Sequence, residues 1–140
     1  MKITEHILTK NPCYKAGKKI TVKGIMLHSI GCPQPDAGVF LKNWNDESHT
    51  NSCVHGFIDG NDGSIYQTLP WDHRGWHCGK SGNSTHIGIE MCESACIRYT
   101  KGSSFSCSDK KKAVEVVKRT YVSQHFNSNP TSCYRIVQRV

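Results

Sequence analysis

Between Trp71 and Glu93 the chain reads WDHRGWHCGKSGNSTHIGIEMCE, and no other stretch limits the fold as much. It holds three histidines, two tryptophans and a run of small residues. Ile87-Gly88-Ile89 then leads to Glu90. Glycine, serine and asparagine place polar groups in a loop at low steric cost. A strand after such a loop presents its carboxylate at a fixed place. Gly24-Ile25-Met26-Leu27-His28 follows the same design, an apolar run ending in one histidine. Together the two runs suggest a metal site, with His28 on the metal and Glu90 beside it.

The size of the chain suits that arrangement. A length of 140 residues fits one domain with its own core. Hydrophobic residues at 36% and charged residues at 21% suit a soluble globular domain. No apolar run approaches the roughly 18 residues of a membrane span. The N-terminal MKITEHILTKNP has no apolar signal-peptide core, so synthesis in a cytoplasm is expected. Eight cysteines without a secretory signal are then expected to be thiols. Cys92 and Cys96 have no matching downstream pair, so a structural zinc cluster is not expected. The formal charge is +7. Its lysines are dispersed, apart from Lys110-Lys111-Lys112. With no RNA-binding aromatic motif and no basic helix-turn-helix signal, attraction to an anionic polymer surface is the better reading, not nucleic acid.

Along the chain, residues 1–22 read as loop and extended segments, with turns at Asn11-Pro12 and Ala16-Gly17. Ile25 to His28 reads as a short buried strand. Asp36 caps a helix through about Asn45, with Val39, Phe40, Asn43 and Trp44 marking its apolar side. Val54 to Leu69 reads as a hairpin turning at Asn61-Asp62-Gly63. The strand at 87–92 follows, and 94–107 reads as irregular. A helix from Ser108 or Asp109 to about Gln124 and a last short strand complete the chain. This order predicts a single α/β domain over 1–140, with a mixed central sheet and packed helices.

A zinc hydrolase needs three protein ligands, an open position for water and a nearby base. His28 suits a ligand, although a lone histidine is more often a hydrogen-bonded core residue. Glu90 suits a base or a salt-bridged edge residue. His77, between Trp76 and Cys78-Gly79, suits a wall that packs a substrate. His55 opens the hairpin, and spacing alone leaves open whether it faces the same cleft. His6, His49, His73 and His86 read as solvated. The rival chemistry is a thiol nucleophile, Cys32 with His28 or Cys78 with His77.

Four motifs in order, GIMLHS (24–29), VHGFIDGNDGSIYQTLP (54–70), WHCG (76–79) and NSTHIGIEMCE (83–93), carry a family resemblance. The chain resembles the zinc-dependent N-acetylmuramoyl-L-alanine amidases of the type-2 amidase family. That fold is shared with peptidoglycan-recognition proteins and amidase-type phage lysozymes. The motifs look most like endolysins and prophage amidases of Gram-positive bacteria, and the resemblance covers about residues 5–121. It implies a zinc cofactor and a peptidoglycan substrate reached after release from the cell. It implies cleavage between N-acetylmuramic acid and L-alanine of the stem peptide. His28 matches the first zinc-binding histidine, Glu90 the general base, and His55, Trp76 and His77 the substrate groove. Residues 122–140 depart from the family pattern. His125 and Cys133 keep a spacing of eight that some members use, but without the usual turn and strand. The alternative expectation is therefore an inactive amidase fragment or muropeptide-binding module lacking a complete zinc site, in a fold that lacks its last core strand.

Overall fold

In a computed structural model the described residues are 2–99 and 105–107. Strands β1 (Ile3–Glu5), β2 (Gly24–Ser29), β3 (Gly56–Ile58), β4 (Ile65–Gln67) and β5 (His86–Met91) form one sheet, ordered β1-β4-β3-β5-β2. Only β3 and β4 pair antiparallel; the other neighbours run parallel. Three helices accompany the sheet: α1 (Pro12–Lys15), α2 (Ala37–Trp44) and α3 (Lys80–Asn83). The expected mixed α/β architecture is therefore present.

Helix α2 begins where its sequence says it should. Asp36 accepts the Gly38 N–H at 2.7 Å, and Asp59 accepts the Ala37 N–H at 2.7 Å. These bonds satisfy amides that a helix N-terminus leaves open. The helix buries Ala37, Phe40 and Leu41 against Val54, Phe57 and Cys92. Phe40 stacks on Phe57 at 5.4 Å between ring centroids, and Trp44 meets Phe57 edge-on at 5.0 Å. Burying a ring such as Phe57 contributes about 1.5–3 kcal/mol. The hairpin between β3 and β4 closes with the Asp59 N–H bonded to the Ser64 carbonyl at 2.8 Å. Gly63 takes φ 77° there, a value that favours glycine.

The N-terminal segment is more ordered than its composition suggests. Strand β1 pairs with β4, Ile3 opposite Ile65, although all three of its residues are exposed. Asn11 caps α1 by accepting the Cys13 N–H at 2.9 Å. Its amide also donates to the Trp44 and Ser52 carbonyls, at 2.9 and 3.3 Å. One buried asparagine thus ties the segment to both ends of the loop after α2.

The stretch expected to be irregular contains a two-stranded sheet, β6 (Ile97–Tyr99) paired antiparallel with β7 (Phe105–Cys107). Cys96, just before it, is disulfide-bonded, contrary to the expectation of thiols throughout. Cys13, Cys32 and Cys53 are thiols. Among the described residues, no helix is long and apolar enough to cross a membrane. The helix expected at 108–124 and the final strand, with His125 and Cys133, lie outside the described residues.

Candidate active site

The two apolar runs singled out in the sequence are neighbours in space. β2 and β5 pair in parallel over six positions, and His28 is the register partner of Glu90. Matched positions on adjacent strands place their side chains on the same face. On its other side Glu90 is registered with Phe57, at the edge of the aromatic core. That apolar flank explains the electrostatics. Burial pushes the Glu90 carboxyl up to about 7, with the nearby Glu93 charge adding to the effect. Glu90 Oε2 is buried, and no donor among the described residues reaches it. A buried acceptor without a partner is rare and points to a group that arrives from outside.

Glu93, which the sequence reading left without a role, stands behind this carboxylate. It is 3% exposed. It accepts hydrogen bonds from the Ser29 and Tyr99 hydroxyls and from the Gly31 N–H.

His28 and His77 meet directly. His28 Nε2 lies 3.0 Å from His77 Nδ1, with the rings edge to face at 5.1 Å. His77 Nε2 lies 3.2 Å from the His86 carbonyl. Desolvation lowers His28 to about 4. Desolvation, and then the charges of His28 and His55, lower His77 to about 3. Both imidazoles are neutral at pH 7, the form that ligates metals.

Trp76, His77 and Glu90 line one pocket of about 360 Å³, together with Val54, Cys78 and Asn83. Trp76 is held by reciprocal backbone bonds to Cys53, at 2.8 and 3.0 Å. The loop beyond it is gathered around Asn83. That side-chain carbonyl accepts the N–H groups of His77, Cys78 and Gly79, at 2.9, 2.9 and 3.1 Å. Gly79 supports the turn at φ 72°. The only sequence signal for Asn83 is its place in a loop of small residues.

His55 stands apart from the pocket lining. It is fully buried, donating from Nε2 to the His73 carbonyl at 2.8 Å. Its Nδ1 accepts the Gly88 N–H at 3.0 Å. Spacing left open which way this ring faced; it faces inward. His73, expected to be solvated, is 9% exposed, bonded to Asp72 and stacked on Tyr14. The thiol alternative is disfavoured at Cys32. Burial and the charges of Glu93 and Glu90 raise the Cys32 thiol, which disfavours thiolate. Cys78 Sγ instead donates to Asn83 Oδ1 at 3.4 Å.

For zinc, the residues present fit one side of a site. His28 offers a neutral imidazole, and beside it Glu90 holds an acceptor that no donor among the described residues reaches. Among the described residues, no three His, Cys, Asp or Glu side chains converge on one point. Any further ligands would come from beyond them.

Comparison with known proteins gives a consistent picture. The model of the N-acetylmuramoyl-L-alanine amidase family matches residues 18–138. The chain is 35% identical over 88 residues to the N-acetylmuramoyl-L-alanine amidase XlyA of Bacillus subtilis strain 168, covering 61% of this chain and 28% of that protein. It is 42% identical over 69 residues to the amidase CwlH of the same strain, covering 46% and 25%. The solved catalytic domain of XlyA aligns with a TM-score of 0.56 at 31% identity, covering 68% of this chain and 63% of that one. The chain spans about a quarter of the length of these curated relatives.

Proposed function

The chain belongs to the N-acetylmuramoyl-L-alanine amidase family, and from that membership we propose that it is a zinc-dependent peptidoglycan hydrolase. The bond it cuts is the amide between the lactyl group of N-acetylmuramic acid and L-alanine of the stem peptide. The observation that carries the reading is Glu90, whose buried Oε2, without a donor among the described residues, stands beside His28 at a substrate-sized pocket.

His28 is the first zinc ligand in this reading, with His125 and Cys133 completing the set. The family match runs to residue 138 and includes both. Zinc, when bound, supplies a Lewis acid that polarises the scissile carbonyl and makes a water acidic. Glu90 takes the proton of the attacking water at Oε2 and returns it to the leaving amine. In the zinc-free protein burial raises this carboxyl to about 7, so its affinity for a proton exceeds that of an exposed glutamate. Trp76 and His77 form the wall against which the muropeptide packs. The +7 charge favours approach to an anionic cell wall.

The test is release of the L-alanine amino group from a purified muropeptide, with zinc content measured on the same sample. Glu90→Gln should lower the rate by about 10²–10⁴-fold while keeping the zinc. Zinc should fall away in His28→Ala and in His125→Ala. Muropeptide binding without any amine release from the wild type would assign the chain a recognition role instead.

A further inference from the structure

His77 does more than line the pocket. Its ring occupies a slot that the backbone leaves open by having no side chain at two positions. A Cβ at position 88 would lie 2.5 Å from His77 Cγ, and one at position 75 would lie 2.7 Å from its Cδ2. Neither glycine has a positive φ, so the requirement is for space. The ring is therefore held in position by strand β5 on one side and by the segment before Trp76 on the other.

In that position its two nitrogens have unequal neighbours. Nε2 faces the His86 carbonyl at 3.2 Å, and a carbonyl only accepts. The ring proton of neutral His77 therefore sits on Nε2, and Nδ1 keeps its lone pair. Nδ1 faces His28 Nε2 at 3.0 Å, so the proton between the rings belongs to His28. Neutral His28 carries one ring proton, which leaves its Nδ1 bare. No group among the described residues hydrogen-bonds that Nδ1.

We infer that His77 is a positioning residue, which fixes His28 as the Nε2–H tautomer and so presents Nδ1 as the atom that binds zinc. The relay runs His28 Nε2–H to His77 Nδ1, then His77 Nε2–H to the His86 carbonyl. Its end is a main-chain atom of β5, the strand that also carries Glu90. Ligand and base are thus referenced to one strand. Outer-shell partners of this kind set both the orientation and the basicity of a ligating imidazole. The inference rests on the zinc reading above, but its first half concerns the zinc-free protein alone.

The experiment uses the full chain labelled with ¹⁵N on histidine. In zinc-free wild type, the ring nitrogen spectra should show the Nε2–H tautomer for both His28 and His77. Addition of zinc should move His28 Nδ1 and leave both Nε2 protons in place. An Nδ1–H tautomer for His28 in the zinc-free protein overturns the inference alone. So does zinc on His28 Nε2 or on His77 Nδ1. If zinc moves no ring nitrogen, the ligand half falls together with the hydrolase reading, while the zinc-free spectrum still decides the tautomer. Variants provide a second readout. His77→Phe keeps a ring but removes both bonds, and in competition with a chelator it should bind zinc about 10–100-fold more weakly. His77→Gln, whose amide again offers an acceptor and a donor, should recover most of that loss. Wild-type zinc affinity in a folded His77→Phe variant overturns the inference.

Discussion

His28 and Glu90 are register partners on adjacent parallel strands, while His77 bonds the first and lines the pocket with the second. A donor that would hold a metal and an acceptor that would take a proton are fixed by the same β2–β5 ladder. Their separation follows from strand spacing and does not depend on loop conformation.

The buried carboxyl has a measurable effect on stability. In the zinc-free protein the Glu90 pKa is raised from 4.5 to about 7, so the folded state holds this proton more tightly than the unfolded state. The stabilisation from Glu90 is then complete below pH 4.5 and is lost as pH rises through 7. Its size is about 3 kcal/mol. Glu90→Gln, which cannot ionise, should melt higher than wild type at pH 8, and the gap should close by pH 4.5. A gap independent of pH between those limits would show that Glu90 ionises as it does in water.

Gly88 should tolerate no side chain. Gly88→Ala drives its Cβ into the His77 ring, and the ring is backed by His55 at 5.9 Å. Overpacking of this kind costs about 1–3 kcal/mol. Thermal melts should show that loss in the zinc-free protein. A neutral substitution would mean that the His77 slot has slack.

Much of this arrangement was legible in the sequence, and the failures have physical causes. The α2 boundaries followed from Asp36 and Asn45, and the hairpin from Asn61-Asp62-Gly63, because caps and turns are local chemistry. Strand β1 was missed because Ile3, Thr4 and Glu5 are all exposed, so no burial pattern marks them. Helix α1 was passed over because Asn11-Pro12 serves equally as a turn and as a cap with proline at the first helical position. His28 and Glu90 could be singled out as strand-end residues, but their pairing is a matter of register between distant strands. The His28–His77 bond has no local signal either, since it depends on which loop folds over β5.

Asn83 should behave as a structural fastener. Asn83→Ala removes the acceptor for the amides of His77, Cys78 and Gly79. These amides are part-buried, with Gly79 exposed, so water offsets part of the loss and each bond contributes about 0.5–1.5 kcal/mol. Hydrogen exchange at those three amides should accelerate well beyond that of the β5 amides. Uniform acceleration across the domain would instead indicate global destabilisation with no special role for the loop.

His55 gives the sharpest contrast between a groove residue and a support. Both of its ring nitrogens are committed to main-chain groups, the His73 carbonyl and the Gly88 N–H. It also stacks on Trp71 at 6.4 Å between centroids. A residue that contacts substrate would raise KM when replaced, with little change in melting temperature. A residue that props the wall should do the reverse. His55→Leu keeps most of the volume but leaves two buried polar groups without partners, for a loss of about 2–4 kcal/mol. With hydrolysis measured well below the lowered melting temperature, KM for the muropeptide should stay near the wild-type value. A raised KM in a variant with unchanged melting temperature would put His55 back in the substrate groove, in an orientation other than the one described here.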